Sequence, residues 1–299
     1  MTCAGKIDVL HAAADLVGES PLWDGVRNVL WWVDIAGRSV RRRDFATGVV
    51  SSLETPFIPG ALAFDEDGHL NVAGGTGLYR VTECGSFETI AEVPGSSSSM
   101  RMNDGTVDRA GRFWVGTVPL APMPVPAGSL YRFGSDGVWE AVAGLGTQNG
   151  TAISPDGATF YVADSHPDLR VIWAYDFDVE AGSLENRRVF HHVSRGRPDG
   201  AAVDADGCYW FAAIDAGLII RLDPLGREME AIQLPVSRPT NLAFCGADLS
   251  ALVVTTMAAG AEGEPLAGSL LTFQSGAKGW PQPRLALGHT GACREMPAP

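Results

Sequence analysis

Apolar residues along this chain come in short runs, each closed by Asp, Gly, Asn or another turn-forming residue. The clearest are Val29 to Asp34, Leu70 to Ala73, Phe113 to Gly116, Phe160 to Ala163, Tyr209 to Ala212 and Leu252 to Thr255. Their β-branched and aromatic content, bounded by turn residues, predicts strands. A shorter apolar run and an Asp-Gly or similar turn precede each, which makes a hairpin. A third run usually follows: Leu78 to Val81, Ser129 to Arg132, Ile172 to Tyr175, Leu218 to Arg221 and Ser269 to Phe273. No segment combines a helical period with caps.

The runs belong to a phrase that recurs with one position kept polar. Asn103 leads into Asp-Gly-Thr-Val-Asp-Arg-Ala-Gly and then Phe-Trp-Val-Gly. Asn149 and Asp199 open the same phrase, and each stands eight residues before the glycine that closes the turn (Gly111, Gly157, Gly207). Degenerate copies put Glu19, Gly60 and Asn241 at this phase, so the spacings along the chain are 41, 43, 46, 50 and 42 residues. A 40–50-residue period holding several short strands is the signature of a β-propeller. Six units predict an all-β, six-bladed β-propeller with four-stranded antiparallel blades. Residues 1–288 form its single domain, and 289–299 are expected to be a frayed tail. The run Ile7 to His11 is expected to complete the last blade beside Arg284 to Leu287. Two insertions, Pro119 to Gly128 and Ala258 to Gly268, should emerge on one face, as a mobile rim or as passive loops.

Equivalent repeat positions occupy equivalent places, so Glu19, Asn103, Asn149, Asp199 and Asn241 should ring the mouth of the central channel. Oxygen donors of this kind suit a hard divalent cation, Ca²⁺ or Mg²⁺, with Mn²⁺ and Fe²⁺ as alternatives. The competing reading is that Asn-Gly and Asp-Gly only mark turns.

At 299 residues and 45 % apolar, the chain is long enough for a full core. Its net charge of −13 argues against nucleic acid and against anionic membrane surfaces. Five scattered cysteines without a close pair read as reduced thiols, and with no apolar signal pattern at the N-terminus this points to the cytoplasm. A serine-nucleophile elbow and a phosphate-binding loop are both missing from the sequence.

The chain resembles the SMP-30/gluconolactonase/luciferin-regenerating family, also called regucalcin-like. The resemblance rests on Gly18-Glu19-Ser20-Pro21 with Trp31-Trp32-Val33-Asp34-Ile35, on Arg101-Met102-Asn103-Asp104-Gly105 with Gly111-Arg112, on Asn149-Gly150 with Ser154-Pro155-Asp156-Gly157, and on Pro198-Asp199-Gly200. These run in the family's order and cover nearly the whole chain. The resemblance implies that Glu19, Asn149 and Asp199 ligate one divalent metal (Ca²⁺, Zn²⁺, Mn²⁺, Mg²⁺ or Fe²⁺). It implies that Arg101 and Asn103 hold substrate hydroxyls or a metal-bound water. Asp164 stands fifteen residues after Asn149, as Asp34 does after Glu19, and either orients a ligand or caps a turn. Some sugar lactonases carry an acidic substrate contact just past Gly116-Thr117, where this chain has Val118-Pro119-Leu120-Ala121-Pro122.

The activity so implied is hydrolysis of a sugar lactone to its acid by a monomer or small homo-oligomer. Asp199 is the candidate general base, and a hydroxide on the metal is its rival. Esterase or phosphotriesterase chemistry on the same propeller, or metal binding without catalysis, are the alternatives.

Overall fold

Twenty-four strands and no helix make up the fold in the computed structural model, which describes residues 5–121 and 126–287. The first five blades are consecutive antiparallel meanders. Blade 1 runs β2 (Gly18–Asp24), β3 (Val29–Asp34), β4 (Ser39–Asp44) and β5 (Val50–Glu54). Blade 2 runs β6 (Pro59–Phe64), β7 (Leu70–Gly74), β8 (Gly77–Val81) and β9 (Phe87–Glu92). Blade 3 comprises β10 (Met100–Val107), β11 (Phe113–Pro119), β12 (Gly128–Gly134) and β13 (Gly137–Leu145). Blade 4 comprises β14 (Gln148–Ile153), β15 (Thr159–Asp164), β16 (Val171–Asp178) and β17 (Ser183–His192). Blade 5 holds β18 (Arg197–Val203), β19 (Tyr209–Ile214), β20 (Leu218–Leu222) and β21 (Glu228–Gln233). Blade 6 takes β22 (Pro239–Cys245), β23 (Ala251–Thr256) and β24 (Leu270–Gln274) from the end of the chain and β1 (Asp8–His11) from its start.

The expected closure is corrected in its partner. β1 pairs with β24, with Asp8 opposite Thr272 and Val9 opposite Leu271, and not with Arg284 to Leu287. Blade 6 already has three strands by Gln274, so one edge slot remains and β1 fills it. The chain beyond Gln274 instead crosses the far end of the channel. The backbone of Ala205 donates to Lys278, Leu285 donates to Phe64, and Ala286 donates to Gly111. Leu285 is 2 % exposed and belongs to the apolar cluster that holds Ala63, Val107 and Phe113, so this crossing ties blade 5 to blades 2 and 3.

Neighbouring blades are cemented by apolar faces of the second and third strands, such as Trp210 and Ile219 of blade 5 against Leu242, Leu252 and Val254 of blade 6. Trp32, Trp114 and Trp210 are wholly buried, and each indole N–H donates to a buried carboxylate: Asp15, Asp108 and Asp204, at 2.8 Å in every case. A buried indole needs such a partner. Trp32 is thus blade core, as its place in an apolar run implies.

The Ala258–Gly268 insertion is stitched down at both ends. Ala258 and Ala259 donate to the carbonyls of Asp15 and Leu16, and Glu264 accepts from the backbone of Ser237 at 2.8 Å. Part of the Pro119–Gly128 insertion, and the whole expected tail at 289–299, lie outside the described residues. No helix among the described residues is long and apolar enough to cross a membrane.

Candidate metal centre at the channel mouth

The first strand of every blade lines the channel, and the polar repeat phase falls at or near the start of each. Glu19 lies on β2, Gly60 on β6, Asn103 on β10, Asn149 on β14, Asp199 on β18 and Asn241 on β22. In all six strands the pairing register slips at this point, as between Glu19 and Leu22 or between Pro198 and Ala201. A bulge of this kind turns a side chain away from the regular pleat. Here it sends successive polar groups towards the axis, and all five polar side chains are buried, at 5–8 % exposure.

At the polar phase, Asn149-Gly150 and Asp199-Gly200 are therefore not turn markers, because Gly150 and Gly200 lie inside strands. The glycines are required by close approach. A Cβ on Gly200 would stand 1.9 Å from the Asn241 carboxamide carbon, and one on Gly60 would stand 2.6 Å from the Met102 carbonyl oxygen. Gly60 explains why blade 2 contributes no side chain to the ring: blade 3's backbone occupies that space.

Hydrogen bonds join the ring residues across blades. Asn103 Nδ2 donates to Asn149 Oδ1 and to the Gln148 carbonyl, both at 2.6 Å. Asn241 Nδ2 donates to Glu19 Oε2 at 2.8 Å and to Asp104 Oδ1 at 3.2 Å. Arg101 Nη1 donates to Asn103 Oδ1 at 2.7 Å and to the Met102 carbonyl at 2.9 Å. Asp164 accepts from the backbone of Gly146, Thr147 and His166, and Asp34 from Leu16, Val17 and Gly37. Both are turn caps. Each pins the chain two or three residues ahead of a ring residue.

Asp104 was not singled out by the repeat phase, yet it is the third carboxylate of the hub. It is 7 % exposed and accepts from the Thr151 backbone at 2.7 Å. Burial raises its carboxyl to about 6. Burial, then the Asp104 charge, raises Glu19 to about 7. Burial, then the charges of Glu19 and Asp104, pushes Asp199 well above the usual carboxylate range. Asp199 accepts no side-chain hydrogen bond among the described residues. Arg101 is the guanidinium facing this group, and burial lowers its own basicity against the pull of Glu19 and Asp199. Arg197 also acts on Asp199 but is itself paired with Asp215, so three buried carboxylates leave a deficit of positive charge at this mouth. A divalent cation fits that donor set.

A second triad, Asp65, Asp67 and His69, brings ligand atoms together at the turn between β6 and β7. Asp65 is already engaged there by the His69 backbone at 2.8 Å and by Arg80 at 3.3 Å, and two of the three residues are exposed. A cavity of about 470 Å³ lies in the channel beneath the hub. It reaches Asp104, Thr151 and Asn241, is walled by apolar residues such as Leu62, Phe64 and Leu242, and is bounded below by Trp280 to Arg284. Glu19, Asn103, Asn149 and Asp199 do not line it. They belong to the opposite mouth, where the first strands begin.

The SMP-30/Gluconolactonase/LRE-like region matches residues 17–258. The 6-deoxy-6-sulfogluconolactonase of Pseudomonas putida is 38 % identical over 84 % of this chain and 87 % of its own length. Regucalcin of Gallus gallus is 33 % identical over 92 % of this chain and 97 % of its own. The crystal structure of a calcium-binding protein, regucalcin, from Agrobacterium tumefaciens superposes with a TM-score of 0.88 at 27 % identity, covering 94 % of this chain and 97 % of that one. With the six blades and the motif residues in family order, the chain belongs to the SMP-30/gluconolactonase/LRE-like family.

Proposed function

We propose that this protein is a divalent-metal-dependent sugar lactonase that opens an aldonolactone to the free sugar acid. The observation that carries the reading is the set of Glu19, Asp104 and Asp199, three buried carboxylates from three blades whose charges act on one another, with Arg101 beside Glu19 and Asp199. A relative named for a sulfonated gluconolactone supports the substrate class, and relatives named regucalcin support the cation.

Glu19, Asn149 and Asp199 would hold the ion. When bound, it supplies Lewis acidity for the lactone carbonyl. Arg101 would hold the sugar. Its Nη1 is committed to Asn103 and the Met102 carbonyl, which leaves Nε and Nη2 as donors for ring hydroxyls. Asn103 fixes that guanidinium by accepting from it. Asp199 has no hydrogen-bond donor of its own among the described residues, and a bound cation would favour its ionised form, so it is the group suited to take a proton from water. As the water oxygen bonds to the carbonyl carbon, its proton passes to Asp199. When the ring C–O bond breaks, that proton is returned to the departing ring oxygen, leaving a hydroxyl and a carboxylic acid. The acid then ionises in bulk water.

Two measurements test this. Acid release from a panel of five- and six-membered lactones, one sulfonated, should be abolished by a chelator and restored by a divalent cation. A phosphotriester in the same panel separates the esterase alternative, and release that ignores the chelator removes the metal from the reading. In the second, Asp199→Ala should abolish turnover. Asp199→Asn should keep the fold and much of the cation affinity while losing about 10²–10⁴-fold in kcat. Wild-type rates in either variant end the assignment of Asp199.

A further inference from the structure

We infer that Ser165 is a positioning residue for the cation, because it terminates a one-way hydrogen-bond relay that fixes which atom of the Asn149 carboxamide faces the hub. This rests on the hub reading above and extends it to a residue outside the ring.

The relay runs through blades 3, 4 and 5. Arg101 Nη1 donates to Asn103 Oδ1 at 2.7 Å, and Asn103 Nδ2 donates to Asn149 Oδ1 at 2.6 Å. Asn149 Nδ2 donates to Ser165 Oγ at 2.9 Å, and the Ser165 hydroxyl donates to the Pro198 carbonyl, one residue before Asp199. Its two ends dictate its direction. A guanidinium has no acceptor, so Asn103 must turn its oxygen to Arg101. A backbone carbonyl has no donor, so the single hydroxyl proton of Ser165 must point at Pro198 and its lone pairs at Asn149. Asn103 Nδ2 is held a second time by the Gln148 carbonyl, which also only accepts. Both carboxamides are thereby locked against the flip that would exchange nitrogen for oxygen.

The consequence for a cation is direct. Carboxamide oxygen is a ligand and carboxamide nitrogen is not, so a flipped Asn149 presents N–H to the hub. Asn103, Asn149 and Ser165 are all buried, Ser165 at 2 % exposure, so water does not replace a lost partner without cost. With Ser165 removed, Asn149 Nδ2 has no acceptor on its outer side and the orientation is held only by Asn103. Partners that orient metal ligands in this way change affinity by about 10–100-fold when removed.

The test uses the full-length protein stripped with chelator and titrated calorimetrically with Ca²⁺ and then Mn²⁺, with no substrate present. Ser165→Ala should weaken binding of whichever ion the wild type takes by about 10–100-fold. Ser165→Thr, which keeps the hydroxyl, should stay within about threefold of wild type. Thermal midpoints of the metal-free variants show whether each remains folded. Wild-type affinity in Ser165→Ala, or equal loss in the alanine and threonine variants, overturns the relay. A wild type that binds neither ion removes the hub reading and this inference with it.

Discussion

Asp104 shows what a single residue contributes to the hub and why the repeat concealed it. It stands one position past the polar phase, where the other blades carry Ser20, Ala61, Gly150, Gly200 and Leu242. A search for one recurrent chemistry at one phase passes over a carboxylate that appears in one blade. Its burial beside Glu19 became visible once the blades were assembled, whereas Glu19, Asn149 and Asp199 were legible because the phase repeats. In the metal-free protein at neutral pH, Asp104 is an ionised group whose carboxyl prefers to hold its proton up to about 6. Asp104→Asn keeps the shape and removes that charge. It should stabilise the metal-free fold by on the order of 1–3 kcal/mol and weaken cation binding. Urea midpoints in chelator at pH 7, wild type against variant, measure the first effect. A midpoint that drops on substitution refutes the charge argument.

At the scale of the strand, the second run of every blade and the third run of five were legible because they are largely apolar and bounded by turns. Several strands extend beyond the run, as β11 does to Pro119, and the arginine-rich β4 gave no apolar signal. β3 begins and ends where the pattern ends, and β20 extends one residue beyond Arg221. The first strands were harder to delimit, since a bulge in each breaks the alternation at the residue that matters most. The segment Arg284 to Leu287 misled because a long side chain followed by three apolar ones near a chain end resembles an edge strand. Its actual place, across the far end of the channel, depends on contacts with Phe64 and Gly111 that lie some 170–220 residues away in sequence and leave no local signal. Leu285 anchors that crossing. Leu285→Ala should destabilise the protein by about 2–4 kcal/mol by opening a cavity in the apolar cluster it shares with Val107 and Phe113, while kcat at saturating substrate and cation stays near wild type. A loss of kcat with unchanged stability would mean that the crossing acts on the hub and not on the scaffold.

The whole molecule sets its carboxylates in two opposed groups, and their balance predicts a pH response. Surface carboxyls such as Asp44 and Asp223 are held below their ordinary values by backbone N–H groups of Thr47 and Arg227. Groups of this kind add stability that is present above their unfolded values and lost as pH falls through the folded ones. Asp15 and Asp104, raised by burial to about 6, Glu19, raised by burial to about 7, and Asp199, pushed well above the usual carboxylate range, work the other way. Their folded values exceed the unfolded ones, so the folded state binds more protons than the unfolded chain between about pH 4 and pH 7. That contribution is complete below the unfolded values and disappears as pH rises through the folded ones. The metal-free protein should therefore be most stable near pH 5 and lose on the order of a few kcal/mol by pH 7 to 8. A cation at the hub reverses the sign for Glu19 and Asp199 and for their neighbour Asp104, because it favours the ionised forms. With saturating cation the decline should shrink to the part owed to Asp15, which sits apart from the hub beside Trp32 and Arg41. Urea midpoints at pH 5 and pH 7.5, with chelator and with cation, give the four numbers needed. Parallel pH dependences in the two conditions would mean that the buried carboxylates do not share the ion.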